Sequence, residues 1–116
     1  MLTICIPVHD TDCSALLNLL AKQIEQHNEL IEVLVCDDFS TNHKKKNEAV
    51  CQRNGFFFIE NKENLGSIST RIKMAKISRF NWLLFIDSDM VPVHNKYLIN
   101  YITVSYTHLT LPTMFE

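Results

Sequence analysis

Apolar positions along this chain follow two rhythms, and the alternation between them predicts the elements. "LTICIPV" (2–8), "IEVLVC" (31–36), "FFFIE" (56–60) and "WLLFI" (82–86) are short, nearly unbroken apolar runs, which predicts four strands. Between them the apolar spacing lengthens. After Asp12, a good helix cap, Cys13, Leu16, Leu17, Leu20 and Ile24 recur at helical spacing. Ser40 or Thr41 is placed to cap a second helix running to about Asn54, with Gly55 as its stop. Beyond the "NKENLG" loop, Ser67 is placed to cap a third helix carrying Ile68, Ile72 and Ala75 on one face. "NKYLINYI" (95–102) starts a fourth.

Strand–helix alternation of this kind predicts an α/β fold with about four parallel strands and helices on both faces. The strands are apolar throughout, as expected where both faces are covered. If the first three strands run outward to one side and the fourth returns beside the first, the residues after strands one, two and four share a crevice. That is where doubly wound sheets bind ligands.

Composition narrows the classes. A chain of 116 residues supports one domain with a real core. An apolar fraction of 47% against 21% charged excludes wholesale disorder. A net charge of −2 gives no reason to expect nucleic acid or anionic lipid as a partner. No apolar stretch approaches the about 20 residues of a transmembrane segment. "MLTICIPV" lacks a basic region and a cleavage site, so it reads as a strand and not a signal peptide, with the cytoplasm as the default location. Cys5, Cys13, Cys36 and Cys51 form no C-x-x-C pair; they read as structural, neither a zinc site nor a disulfide framework. "HKKK" (43–46) reads as a solvated face, "FFF" (56–58) and Trp82 as core, and Met74 and Met90 as packing residues.

The candidate chemistry sits at the predicted crevice. His9 and Asp10 follow the first strand, Asp37 and Asp38 the second, and Asp87 and Asp89 the fourth. Five carboxylates converging on one edge is costly: two of them 4 Å apart repel by about 4 kcal/mol at an effective dielectric near 20. Either some are protonated or a cation resides there. An all-oxygen ligand set suits Mg²⁺ or Mn²⁺, with phosphates completing the shell. Asp87 and Asp89 alone fit a solvated turn; the Asp pair after strand two shifts the balance to a metal and a phosphorylated ligand. Asp10 reads as a turn or cap residue, and His9 either stacks on a base or fills space.

The order "IPVHD", "VLVCDDFS", "NKENLGSISTR", "LLFIDSDM" resembles the N-terminal half of inverting family 2 glycosyltransferases, which have the GT-A (Rossmann-like) fold. The resemblance covers residues 2 to about 102. It implies a metal-dependent transferase of polysaccharide biosynthesis that takes a nucleotide-diphospho-sugar donor, most often a UDP-sugar, and inverts the anomeric centre. It also implies Mn²⁺ or Mg²⁺ as cofactor and a glycan or lipid-linked acceptor. Carried over by residue, Asp38 accepts a hydrogen bond from the nucleobase and Asp37 supports that loop. Pro7, Val8 and His9 line the base pocket. Asn64 and Gly66 shape the loop before the third helix, and Arg71 lies near the nucleotide. Asp87 contacts the ribose or the metal, and Asp89 binds the metal bridging the diphosphate.

The sequence departs from the family pattern at several points. His9 and Asp10 replace an aromatic–Asn pair, Phe39 replaces a Gly, and Ile72 and Met74 stand where Asn and Gly are common. No residue before 103 matches the carboxylate that deprotonates the acceptor, so residues 1–102 read as the donor-binding half of a transferase, inactive alone and membrane-peripheral at most in a longer protein. Residues 103–116, "TVSYTHLTLPTMFE", carry four Thr and no Lys or Arg. They resemble translated sequencing-adaptor DNA and read as a non-native tail, or else as a strand and loop. Two other classes fit in part: a phosphoacceptor receiver domain, although receivers carry their acidic pair after the first strand, and a non-catalytic nucleotide-binding module.

Overall fold

The computed structural model describes residues 1–25, 30–90 and 114–115. Four strands, β1 (Leu2–Val8), β2 (Ile31–Asp37), β3 (Phe57–Glu60) and β4 (Trp82–Phe85), alternate with three helices, α1 (Ser14–Ile24), α2 (Lys44–Asn54) and α3 (Ser67–Ile77). A two-residue strand, β5 (Met114–Phe115), pairs with β4, so the β4 edge expected to stay open carries a short partner. The order is β3-β2-β1-β4-β5, with every pairing parallel. The predicted fourth helix (95–102), and the tail apart from 114–115, lie outside the described residues. Among the described residues no helix is long and apolar enough to cross a membrane.

The apolar strands are buried on both faces, but unequally. Leu2, Ile4, Ile6 and Val8 of β1 face α1 and α2 in a large cluster with Leu16, Leu17, Leu20, Val33, Val35, Val50 and Cys51. The alternate positions, Cys5 of β1 with Leu34 and Cys36 of β2, meet only Met74 of α3 and Phe85 in a smaller cluster. This follows from the two-residue period of a strand. All four cysteines are free and buried, and burial raises their thiols to about 11 or 12.

Helix ends follow local chemistry. Asp12 Oδ1 accepts from the Ser14 amide at 3.0 Å and its hydroxyl at 2.6 Å, fixing the entry to α1. The expected Ser40 or Thr41 cap of α2 is absent: the helix begins at Lys44, after His43 in the left-handed region, because Ser40 and Thr41 bond to Asp10 instead. Gly55, at φ 71°, ends α2 as expected of an αL cap. Ser67 is the first residue of α3, and Gly66 holds the cap position.

The face of α3 differs from the expectation. Ile68 and Ile72 are 76% and 52% exposed, and the buried residues are Thr70 and Met74, on the opposite side of the helix. Within the "FFF" run, Phe56 and Phe58 pack partly against the larger cluster, but Phe57 is exposed, because β3 is an edge strand whose second face is covered only at Ile59.

Candidate functional site

The hydrogen-bond ladder of the sheet runs one rung past its strands. The Asp38 amide donates to Val8 O at 2.7 Å, and the Asn61 amide donates to Asp37 O at 2.8 Å. His9, Asp38 and Asn61 therefore start their loops side by side along the C-terminal edge. Beside them opens a cleft of about 320 Å³, lined by Pro7, Val8, His9, Thr11, Asp38, Ser67, Thr70, Arg71, Asp87, Ser88 and Asp89. A larger hollow of about 800 Å³ at the opposite edge, between the starts of the strands and the ends of α1 and α2, has no comparable set of strand-end acidic groups.

Adjacent aspartates take opposite roles. Asp37 is wholly buried; its Oδ2 accepts from the Ser40 amide at 2.9 Å, and its Oδ1 is buried without a partner. Asp38 reaches the cleft. Its Oδ1 accepts from Asn61 Nδ2 at 3.0 Å and the Leu65 amide at 2.8 Å, and its Oδ2 accepts from the Gly66 amide at 2.9 Å. Burial by itself would raise the Asp38 carboxyl, but the hydrogen bonds from Asn61, Leu65 and Gly66, with nearby His9, together hold it below its ordinary value.

Asp38 thus tethers the "NLG" turn. Asn64 Oδ1 also accepts from the Gly66 amide, at 3.1 Å, and Gly66 takes φ 87°, which suits a residue without Cβ. Asn64 and Gly66 shape the loop without lining the cleft. The His9 ring is clamped: its Nδ1 sits 2.7 Å from the Asp38 carbonyl and must donate to it, while Nε2 lies 3.3 Å from Asp10.

Five carboxylates do not converge as the sequence suggested. Asp10 Oδ1 turns away to the loop before α2, accepting from the Thr41 and Asn42 amides at 2.7 and 3.1 Å, and those bonds, Asn42's first, lower its acidity constant. Asp37 is enclosed. Only Asp38, Asp87 and Asp89 line the cleft, and among the described residues no three His, Cys, Asp or Glu side chains form a metal-holding group. Backbone amides and Arg71 supply the neutralisation that the sequence had assigned to a cation. Arg71 Nη2 bonds Asp87 Oδ1 at 3.1 Å, with Arg71 Nε buried and unpartnered. Asp89 is exposed, and among the described residues its carboxylate meets no partner. Two exposed oxygen ligands one residue apart fit a hard cation that draws its other ligands from phosphate and water.

Sequence reasoning missed Asn61, Thr70 and Lys73. Asn61 is 4% exposed; besides Asp38 it donates to Thr70 Oγ1 at 3.1 Å, and its Oδ1 accepts from Lys73 Nζ at 2.6 Å. The available signal was positional: Asn61 follows β3 as Asp38 follows β2. Backbone strain also gathers here, with Asp10, Phe39 and His43 at φ 51°, 56° and 66°.

Solved structures resemble this fold. TarS of S. aureus, residues 1–349 in complex with UDP-GlcNAc, superposes at a TM-score of 0.77 with 23% identity, over 93% of this chain and 32% of that one. The mannosyltransferase PcManGT of Pyrobaculum calidifontis, in complex with GDP-Man and Mn²⁺, gives 0.65 with 15% identity, over 90% and 32%. Glucosyl-3-phosphoglycerate synthase of Mycobacterium tuberculosis, in complex with Mn²⁺, UDP and glucosyl-3-phosphoglycerate, gives 0.65 with 17% identity, over 90% and 39%. The chain therefore spans between a fifth and two fifths of the structures it matches. No curated protein matches it. The family model described as Glycosyl transferase family 2 matches residues 3–103, nearly the whole chain, which sets the receiver-domain reading aside. The chain belongs to glycosyl transferase family 2.

Proposed function

We propose that the C-terminal-edge cleft binds the nucleoside diphosphate of a sugar donor, most naturally a UDP-sugar, for metal-dependent, inverting transfer. The observation that carries this reading is the shared lining: Asp38, Arg71, Asp87 and Asp89 border one cleft. Asp38 accepts the base's ring N–H, and the Pro7–Val8–His9 segment borders the base. Arg71 offers a cation beside Asp87, which takes the ribose or shares the metal. Asp89, with Asp87, would hold Mn²⁺ or Mg²⁺, which when bound offsets the charge developing on the departing diphosphate. The donors named for the solved neighbours, UDP-GlcNAc and GDP-Man, both carry bases with a ring N–H, which supports the role given to Asp38.

Assigning Asp38, Asp87 and Asp89 to the donor leaves the acceptor-activating base to residues outside the described set. Four free thiols suit a reducing, cytoplasmic setting. Titration with UDP by calorimetry tests the proposal. Binding should require Mn²⁺ or Mg²⁺ and fall at least about tenfold in Asp89→Ala, as expected for losing a ligand to a charged group. Metal-independent UDP binding, unchanged in Asp89→Ala, would sink it.

A further inference from the structure

Asp38 owes its orientation to a side chain that reaches no ligand. Asn61 stands between Asp38 and Lys73, with its two polar ends committed to opposite tasks. An amide's oxygen and nitrogen are told apart only by their partners. Lys73 Nζ, which has donors only, approaches one end at 2.6 Å, and the Cys36 thiol approaches the same end at 3.6 Å. That end must be the oxygen. The NH₂ end then faces Asp38 Oδ1 at 3.0 Å and Thr70 Oγ1 at 3.1 Å. Turning the amide over would put two acceptors against each other at Asp38 and two sets of donors against each other at Lys73.

The consequence falls on lone pairs. Asp38 Oδ1 accepts two N–H groups, from Asn61 and Leu65, and is filled; Oδ2 accepts one, from Gly66, and keeps one position open. A fixed, ionised carboxylate with one open acceptor position welcomes a base edge that donates a ring N–H, as uracil and guanine do. It rejects an edge bearing a ring-nitrogen lone pair there, as in cytosine and adenine.

We propose that Asn61 and Lys73 are positioning residues for nucleobase selection, holding Asp38 so that the cleft prefers bases with a ring N–H. This rests on the reading of the cleft as a donor-nucleotide site. Removing Lys73's ammonium frees the Asn61 amide to turn, and Asp38 then loses a fixed donor and its single-acceptor presentation.

The test is calorimetric titration of the chain with UDP and with CDP in the presence of Mn²⁺. The wild-type chain should prefer UDP by about tenfold or more, the scale of one hydrogen bond to a charged group. In Lys73→Met the UDP-to-CDP ratio should fall several-fold, and Lys73→Arg should retain most of it. A role confined to folding would weaken both nucleotides alike and leave the ratio intact. Lys73→Gln, whose amide can donate or accept, is held to the same criterion if Lys73→Met does not fold. A wild-type chain indifferent between UDP and CDP overturns the base-binding reading and this inference with it. A wild-type preference that survives unchanged in the Lys73 variants overturns the positioning role alone.

Discussion

The two faces of the sheet are built on different terms. Beneath α1 and α2, β1 and β2 bury a continuous apolar cluster, and the helices contribute the expected stripes. Beneath α3 the apolar cluster has five buried members and gives way, toward the cleft, to the Asp38–Asn61–Thr70–Lys73 network. The first face holds the chain together. The second trades apolar packing for polar groups that must stay oriented, and α3 turns Ile68 and Ile72 outward as a result.

The largest effect that would sharpen this contrast is on the first face. Leu20→Ala, at a side chain with no exposed surface, should cost about 2–5 kcal/mol in urea unfolding. A cost below 1 kcal/mol would show the cluster to be loosely packed. The second face should reveal itself in acid. Asp38's folded-state value lies below its ordinary 3.8, so the stability it adds is complete above about pH 4 and is lost as pH falls through the folded value. Thermal midpoints should thus fall below about pH 4 and fall less in Asp38→Asn; identical pH profiles would count against an ionised, hydrogen-bonded Asp38. A smaller gain is expected between the faces, where Phe39 holds φ 56° while 53% exposed. Phe39→Gly should stabilise the chain by about 1 kcal/mol through relief of left-handed strain, read as a higher urea midpoint. Smallest of all, Ile72→Ser should change stability by no more than about 0.5 kcal/mol. A large loss there would mean that the outer stripe of α3 is packed after all.

Most of the frame was readable from the sequence because burial on both faces forces unbroken apolar runs, and those runs marked β1, β2 and β4 to within one residue. The sheet order followed from the same pattern together with the α/β alternation. The stripe rule worked for α1, where inward positions are apolar. It failed for α3, where the inward positions include Thr70, so the more hydrophobic side was the wrong one. Strand-end position identified the acidic residues but not their directions. Asp10 and Asp37 are turned aside by amides from the 40–42 segment, partners that no spacing along their own strands reveals. Asn61 escaped notice because a single neutral amide after a strand matches no charged pattern.

The two backbone rungs beyond the strands, Asp38 to Val8 and Asn61 to Asp37, separate the path of the chain from the identity of its side chains. Any residue other than proline can supply the amides at 38 and 61, so positions 9, 38 and 61 act as replaceable heads on a fixed handle. A small combinatorial library at these three sites would vary ligand preference while leaving the route of the loops in place, which makes this edge a natural starting point for redesigning the nucleotide that the cleft accepts.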